Sequence, residues 1–302
     1  MERQWLAPFA VDVRAVLFVH RRGHGDPAFA TDKAGAIWRA CRTPDGPGTI
    51  RITGPAVGRT AVSATAWGPG ASWLLDALPG LLGADDRPED FVPAHPVLRD
   101  AVRRHAAVRI GRSGLVFEAL VPAILEQKVV GMEATRAWRL LLRRFGEPAP
   151  GPGPAGMAVP PAPVTWASVP SWEWHRAGVE AVRARTIAAA ARVAGRIEEA
   201  ARLTSADADR RLQALPGIGP WTSAEVRQRA CGDADAVSVG DYHLPSIVGW
   251  ALAGRPVDDA EMLALLAPYQ GHRHRASILA GLAGPHPPRR GARMAVRDYR
   301  AI

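Results

Sequence analysis

The sequence predicts an α+β protein, with a small N-terminal α/β domain over residues 1–93 followed by an all-α region over residues 94–302. Short β-rich runs separated by turns such as Pro44-Asp-Gly-Pro47 fill the first part. Apolar residues recur at helical spacing after it. The 302 residues are enough for two or three domains, and a hydrophobic fraction of 47% is enough for packed cores.

Residue type and turn position predict the elements of the N-terminal domain. Runs rich in β-branched and aromatic residues, bounded by Gly, Pro or Asp, are typical of strands. The apolar run over residues 71–82 predicts a helix. The predicted strands cover residues 11–19, 36–41, 49–52 and 60–66.

Two segments of the second region are predicted to lack regular structure. Residues 147–163 contain Pro-Gly-Pro-Gly-Pro and Pro-Pro-Ala-Pro, which cannot form a continuous helix or strand. We interpret them as an exposed connection inside the helical region. The tail after Pro285 is expected to fray, and its Pro-Pro-Arg-Arg-Gly run at residues 287–291 would add electrostatic contact with a polyanion.

The most informative motif is Leu-Gln-Ala-Leu-Pro-Gly-Ile-Gly-Pro-Trp-Thr at residues 212–222. A helix with apolar residues at Leu212 and Leu215 must end at the Pro-Gly-Ile-Gly run. Pro220 suits the first turn of a second helix. Free backbone amides at such a turn bind phosphate without reading base sequence. An ordinary αα-hairpin is the alternative, but Asp241, 22 residues after Gly219, favours the DNA-binding interpretation.

On these residues the chain resembles the endonuclease III superfamily, and within it the alkylpurine DNA glycosylases of the 3-methyladenine DNA glycosylase II type. The resemblance covers nearly the whole chain; it is strongest over residues 115–146 and 203–284 and weak before residue 95. It implies an all-α helix-hairpin-helix region of two helical subdomains. It also implies a monomer that acts in base excision repair on double-stranded DNA containing damaged bases, in the cytoplasm and associated with the nucleoid.

The resemblance also implies roles for the backbone of the hairpin. Amides in it are expected to contact a DNA phosphate, and carbonyls in it to hold a monovalent cation. The matching amides are those of Gly217, Gly219 and Thr222, and the matching carbonyls are those of Gln213, Leu215 and Ile218.

The residue two positions after the second hairpin glycine separates two kinds of chemistry. Superfamily members that cut the strand through a Schiff base carry lysine there, whereas this chain has Trp221. Its only two lysines are Lys33 and Lys128, so amine-based covalent catalysis at this position is excluded. With only Cys41 and Cys231, a four-cysteine iron–sulfur cluster is impossible, and no cofactor is expected to be required.

Asp241 is the predicted catalytic group. Cleavage of an N-glycosidic bond passes through a sugar with oxocarbenium character, which a carboxylate stabilises while it orients or deprotonates water. Glycoside hydrolases usually add a second acid to protonate the leaving group. An alkylated purine such as 3-methyladenine or 7-methylguanine is already cationic and leaves neutral, so one carboxylate can suffice. The alternative is that Asp241 caps the next helix, which is compatible with catalysis.

An aromatic pocket would suit a cationic base, because an aromatic face attracts a cation by ~0.5–2 kcal/mol. Trp221, Tyr242 and Tyr269 match aromatic positions of the resembled family. Glu225 stands where some relatives have an aromatic residue. If it faces the pocket, the site has two carboxylates; the alternative is a surface glutamate paired with Arg229 at i+4.

Further DNA contacts are predicted at the ends of two helices. Gln127 matches a residue near the lesion, and Lys128 stands where relatives often place an apolar wedge; the alternative is a solvated helix end. Arg273 and Arg275 are expected to touch DNA or to buttress Asp241. The nearby histidines 243, 272 and 274 have no Cys or carboxylate at ligand spacing, so they do not predict a metal site.

The charge of the chain agrees with a polyanionic partner. The net charge is +9 and the isoelectric point is about 10.7. A composition rich in Ala, Arg, Gly and Pro can produce such a charge without any DNA-binding function. There is no run of eighteen apolar residues and no signal peptide, so an intracellular protein without a membrane contact is expected.

Three functional hypotheses follow from the sequence. The first is a monofunctional DNA glycosylase that flips and excises alkylated purines. The second is a helix-hairpin-helix protein that binds DNA damage without catalysis. Three departures from the resembled family keep it open: Lys128, Glu225, and Gln270, which stands where the family has arginine. The third is a glycosylase for another modified base, such as hypoxanthine or an oxidised purine, with Glu225 as the acid.

Overall fold

A computed structural model describes residues 1–54 and 60–285. Within them the strands are β1 Glu2–Leu6, β2 Phe29–Thr31, β3 Ile37–Thr43, β4 Gly46–Thr53, β5 Ala61–Trp67, β6 Glu147–Pro148 and β7 Ala158–Val159. The helices are α1 Val13–Leu17, α2 Ala71–Leu81, α3 Pro96–Arg104, α4 Val116–Leu125, α5 Gly131–Phe145, α6 Pro163–Ser168, α7 Ser171–Arg176, α8 Ala181–Arg192, α9 Ala194–Glu198, α10 Ser205–Gln213, α11 Pro220–Val226, α12 Leu244–Ala253, α13 Asp259–Leu266 and α14 Arg273–Ala283. The predicted α+β class is confirmed.

The N-terminal part is a five-stranded antiparallel sheet in the order β1-β5-β4-β3-β2. Its residues alternate between faces, as β5 shows with Val62, Ala64 and Ala66 buried and their neighbours more exposed. Helix α2 covers the buried face with Leu74 and Leu78. Three of the four predicted strands and the predicted helix at 71–82 are therefore confirmed, while β1 and β2 went unpredicted.

The predicted strand over residues 11–19 is wrong. Asp12 Oδ1 accepts a hydrogen bond from Ala15 N at 2.9 Å and so caps helix α1. A 3-10 turn over Phe18–His20 follows it. Valines in this run pack one helix face against the sheet, because burial outweighs their intrinsic β preference.

The Pro/Gly-rich segment is not the exposed connection that its composition predicts. Strands β6 and β7 pair inside it, and Val159 is completely buried. Met157 and Val159 pack with Trp38 of strand β3, whose ring stacks on Trp67 at 5.2 Å between centroids. The segment therefore covers the outer face of the sheet and ties it to the helical region.

Two separate cores hold the helices. The first surrounds α4, which is buried along its whole length and contacts α5, α8 and α11. The second is formed by α3, α12, α13 and α14. The hairpin packs in the first core, and helix α12, the next α-helix after α11, packs in the second. The segment between α11 and α12 therefore lies where the two cores meet. The basic run at residues 287–291 lies outside the described residues.

No helix in the described part of the chain is long and apolar enough to cross a membrane. The predicted boundary near residue 93 and the predicted monomer stay predictions. Helix α3 follows that boundary and packs against α14 in the second helical core.

Candidate active site at the hairpin

The hairpin turn depends on a glycine with left-handed backbone geometry. Helix α10 ends at Gln213 and α11 begins at Pro220. Between them, Ile218 N donates to Leu215 O at 3.1 Å. Gly217 has a φ of +89°, which only glycine adopts without cost.

Gly217 also lies against Thr186 of helix α8. A Cβ atom on Gly217 would lie 2.5 Å from Thr186 Oγ1, closer than a real contact allows. At Gly219, by contrast, φ is −102° and a Cβ atom would meet nothing within 4 Å. One glycine is required by the fold, and the other lies at an open surface.

The open side of the hairpin presents unused amides. Within residues 1–54 and 60–285, the backbone amides of Gly217, Gly219 and Thr222 donate no hydrogen bond. Ile218 N is paired with Leu215 O, and Ser223 N is the first paired amide of helix α11, donating to Gly219 O at 3.0 Å. Successive free amides on an open turn can bind an anion.

The carbonyls predicted to hold a cation are also partly free. Among the described residues, no donor pairs with the carbonyl oxygens of Gln213 and Ile218, whereas Leu215 O accepts from Ile218 N. Free carbonyl oxygens are suitable donors to a monovalent cation. No group of three or more His, Cys, Asp or Glu residues in the described chain could hold a metal ion.

Gln127 supports the hairpin through side-chain hydrogen bonds. Its Nε2 donates to Gly217 O at 3.0 Å and to Thr222 Oγ1 at 2.8 Å. The side-chain nitrogen is thus engaged within the protein, and a position of Gln127 near the lesion stays a prediction. Lys128 is exposed and has a φ of +55°, unlike every other described non-glycine residue.

Asp241 is held by three hydrogen bonds. Its Oδ2 accepts from Trp221 Nε1 at 2.9 Å. Its Oδ1 accepts from His243 N at 2.8 Å and Leu244 N at 2.9 Å, at the start of α12. The carboxylate therefore pairs with two amides at the start of this helix, whose N-cap residue is His243, and is fixed beside the hairpin at the same time.

A cavity of about 180 Å³ opens beside Asp241. This is smaller than the ~300–1,000 Å³ pockets that take drug-sized ligands, and it suits one small planar group. Trp221 does not line the cavity but reaches it through its bond to Asp241. The lining residues are Glu225, Gln228, Ser238, Asp241, Leu244, Ile247, His274, Ser277 and Ile278.

Glu225 combines the two roles that the sequence offered as alternatives. It is paired with Arg229, whose Nη1 donates to Glu225 Oε2 at 2.7 Å, yet it lines the cavity and its side chain is only 13% exposed. Ser238 Oγ donates to Glu225 Oε1 at 2.6 Å. Burial raises the pKa of Glu225, but Arg229 and Ser238 outweigh it and hold the pKa below its usual value. Glu225 is therefore a carboxylate.

Two predicted pocket aromatics lie elsewhere. Tyr269 is 2% exposed and packs on Phe91 in the second helical core, with its hydroxyl bonded to His95. Tyr242 is 76% exposed and packs edge-on against His243, outside the cavity. Neither side chain lines the cavity beside Asp241, because chain proximity to Asp241 does not decide which face a side chain takes.

The two predicted DNA-contacting arginines are used inside the protein. Arg275 is buried and forms an ion pair with Asp86. Arg273 is half-buried, and its Nε and Nη2 donate to Asp235 at 2.8 and 2.5 Å. Arg275 therefore cannot touch DNA in this structure and instead ties α14 to the segment after the N-terminal sheet.

Four polar lining residues were not predicted as pocket residues, namely Gln228, Ser238, His274 and Ser277. Gln228 follows Glu225 by three positions and so shares its helix face, a signal that was available. Its Nε2 donates to Ala236 O and to Ser238 Oγ, both at 2.9 Å. The sequence around His274 gives no sign of a pocket role. Burial lowers the pKa of His274 to about 4, so this side chain is neutral at pH 7.

Solved structures with the same fold are DNA glycosylases. A 3-methyladenine DNA glycosylase from Archaeoglobus fulgidus superposes with a TM-score of 0.74 at 17% identity, over 93% of this chain and 97% of that one. The 8-oxoguanine glycosylase/lyase of Clostridium acetobutylicum, in complex with DNA, gives 0.69 at 12% identity, over 94% and 97%. The chain has the fold of the helix-hairpin-helix DNA glycosylases.

A smaller relative shares only part of the chain. The 3-methyladenine DNA glycosylase of Schizosaccharomyces pombe, in complex with abasic DNA, gives a TM-score of 0.51 at 17% identity and covers 62% of this chain and 91% of that one. No protein-family model and no curated protein matches the sequence. At these sequence identities the comparison shows only the fold. The reaction has to be inferred from the residues of the site.

Proposed function

We propose that the protein is a monofunctional DNA glycosylase that excises alkylated purines, such as 3-methyladenine and 7-methylguanine, in base excision repair. The observation that carries this proposal is the position of Asp241. Its carboxylate is fixed by three hydrogen bonds at the edge of a base-sized cavity, beside a hairpin with free amides.

The reaction would begin when the damaged nucleotide leaves the duplex, at a cost of a few kcal/mol. The amides of Gly217, Gly219 and Thr222 would bind the backbone phosphate and hold the strand beside the cavity. Carbonyls of the hairpin would hold a monovalent cation, whose charge would favour the same phosphate. Lys128, exposed on the neighbouring turn, is the candidate to fill the gap in the duplex.

Asp241 would then assist cleavage at C1′ of the sugar. The N-glycosidic bond breaks and its electron pair leaves with the base. The carboxylate stabilises the oxocarbenium-like sugar, water adds to C1′, and Asp241 takes up the proton that the water loses. A cationic alkylpurine leaves as a neutral base, so no proton donor is needed.

The surroundings of the cavity argue for a cationic base over a neutral one. A neutral base would need an acid to protonate it. Arg229 and Ser238 hold Glu225 as a carboxylate, and His274 is neutral with a pKa of about 4. The hypothesis of a neutral lesion with Glu225 as the acid is therefore disfavoured.

Strand cleavage through a Schiff base is not part of this proposal. Trp221 stands at the position where the resembled lyases carry lysine, and neither Lys33 nor Lys128 lines the cavity. The product would be an intact strand with an abasic site, which hot alkali would cut and the protein would not.

The test is single-turnover release of bases from randomly methylated DNA. Wild type should release 3-methyladenine or 7-methylguanine, and Asp241→Asn should be slower by at least ~100-fold. The variant should bind DNA nearly as tightly as wild type, because Asn keeps an oxygen for the two amides that Asp241 caps. Asp76→Asn, an exposed residue of α2, serves as the matched control.

Each hypothesis gives a different result. Equal rates for wild type and Asp241→Asn would disprove the proposed mechanism. DNA binding without base release from methylated or hypoxanthine-containing DNA would favour the catalytically inactive damage-binding protein. Release of hypoxanthine alone would favour the neutral-base glycosylase.

A further inference from the structure

The N-terminal part of the chain is connected directly to the cavity. Arg229 lies between them: its Nε donates to Val19 O at 3.1 Å, and its Nη1 donates to Glu225 Oε2 at 2.7 Å. The same Nη1 lies 2.9 Å from Glu225 O. A backbone carbonyl of the 3-10 turn after α1 therefore orients the guanidinium that holds a cavity carboxylate.

A second contact fixes the same N-terminal turn to the helical region. Arg22 Nη1 lies 3.2 Å from Glu126 Oε1, at the end of α4. The next residue, Gln127, holds the hairpin through Gly217 and Thr222. The Val19–Arg22 turn thus contacts the supports of both the cavity and the hairpin.

On its other side Glu225 is held by a short hydrogen-bonded chain. Gln228 Nε2 donates to Ser238 Oγ at 2.9 Å, and Ser238 Oγ donates to Glu225 Oε1 at 2.6 Å. Each carboxylate oxygen thus has one protein donor and retains a lone pair. Because Glu225 lines the cavity, that remaining capacity is available to a bound base.

We propose that Glu225 is the specificity-determining residue of the cavity, selecting bases that carry positive charge, and that Arg229, oriented by the Val19 carbonyl, is the residue that positions it. This inference rests on the proposed function for the identity of the ligand as an extruded base. It assigns the N-terminal domain a part in base selection, which neither its sequence nor its sheet indicates.

The charge of Glu225 follows from its neighbours. A glutamate this buried would tend to be protonated if it stood alone. Here the paired guanidinium and the Ser238 hydroxyl keep its pKa below the usual value despite burial. Asp241 lines the same cavity, so two carboxylates border one small space, which favours a cationic group over a neutral one.

The test measures binding without catalysis. The probe is a DNA duplex with one 2′-fluoro-7-methyldeoxyguanosine, whose fluorine disfavours the sugar cation and so prevents base loss. The reference is the same duplex with 2′-fluorodeoxyguanosine. The quantity of interest is the ratio of the two dissociation constants, which general loss of folded protein does not change.

Wild type should prefer the methylated duplex. Glu225→Gln should reduce that preference by roughly 10- to 100-fold, the range for one hydrogen bond to a charged group. Glu261→Gln, an exposed glutamate paired with Arg255, is the matched control and should keep the preference. An unchanged preference in Glu225→Gln, or no preference in wild type, overturns the inference.

Arg229→Lys tests the positioning role of Arg229. It also replaces Glu225→Gln as the test variant if Glu225→Gln does not fold. Lysine keeps the positive charge but cannot donate to Val19 O and to Glu225 with one planar group. The preference should fall by about tenfold, while the exposed control Arg255→Lys should show no change. A full preference in Arg229→Lys would overturn the positioning role.

The outcomes for this inference and for the proposed function are separable. If wild type prefers the methylated duplex through Glu225 but releases no base from methylated DNA, base selection stands and the glycosylase proposal fails. If base release depends on Asp241 but the preference does not depend on Glu225, the reverse holds.

Discussion

Gly217 and Gly219 are two positions apart, yet the structure predicts opposite effects for alanine at each. Alanine at Gly217 must adopt a φ of +89°, which costs roughly 1–2 kcal/mol. Its Cβ must also displace Thr186 Oγ1 from 2.5 Å, and overpacking of this kind typically costs about 1–3 kcal/mol. Together, Gly217→Ala should lower the free energy of unfolding by ~2–5 kcal/mol.

Alanine at Gly219 meets neither obstacle. The φ of −102° is open to any residue, and the space around the Cβ is empty. Folding stability should stay within ~0.5 kcal/mol of wild type. If the free amides here bind phosphate, the methyl group would hinder that contact, and loss of one charged hydrogen bond would weaken DNA binding roughly 10- to 100-fold.

Urea unfolding and fluorescence-anisotropy titration of a labelled duplex measure the two effects separately. A double-mutant cycle divides the cost at Gly217. Thr186→Ala removes Oγ1 and Cγ2, which leaves only Thr186 Cβ at 3.4 Å from the new methyl group. The double variant should recover the steric part of the loss but retain the backbone part.

Two results would refute this reasoning. Full DNA affinity in Gly219→Ala would mean that phosphate does not approach the open side of the hairpin. Wild-type stability in Gly217→Ala would mean that the turn does not need left-handed geometry at this residue.

Other perturbations follow from buried contacts. Arg275→Gln leaves Asp86 buried without its partner and should cost about 3–5 kcal/mol in urea unfolding; a change below 1 kcal/mol would contradict the buried pair. Tyr269→Phe should lower stability by ~1 kcal/mol and leave base release unchanged, whereas slower release would return Tyr269 to the pocket. His274 has a pKa of about 4 in the fold against 6.5 for the free side chain, so the unfolded chain binds the extra proton between these values. Wild type should therefore lose stability as pH falls from 6.5 to 4, and His274→Gln should flatten that dependence in thermal unfolding.

Much of the chain could be predicted because its signals are local. Helix α10 ends at Gln213, just before the Pro-Gly-Ile-Gly run, since proline and left-handed glycine cannot continue a helix. Helix α2 and strands β3, β4 and β5 follow from periodicity and turns. The proximity of Trp221 to Asp241 follows from the resemblance, and in the structure their side chains meet at 2.9 Å.

The failures share one cause, which is that packing partners distant in sequence decide them. The run at residues 11–19 became helix α1 because the sheet and α2 bury one helical face. The Pro/Gly-rich segment pairs and packs because Trp38 offers it an apolar surface. Arg275 and Tyr269 match a motif that suggests DNA and base contacts, but Asp86 and His95, far away in the chain, engage them.

By itself, the sequence determined the α+β class, the hairpin, the carboxylate after it, and the absence of a lysine at position 221 and of a four-cysteine cluster. These depend on residue identity, on backbone geometry within a few residues, or on a count. Only the tertiary structure decided that Glu225 is both paired and cavity-facing, that His274, Gln228 and Ser238 complete the cavity, and that the N-terminal turn reaches Arg229. Burial, ion pairing and pKa depend on what surrounds a side chain in space, and no short stretch of sequence contains that information.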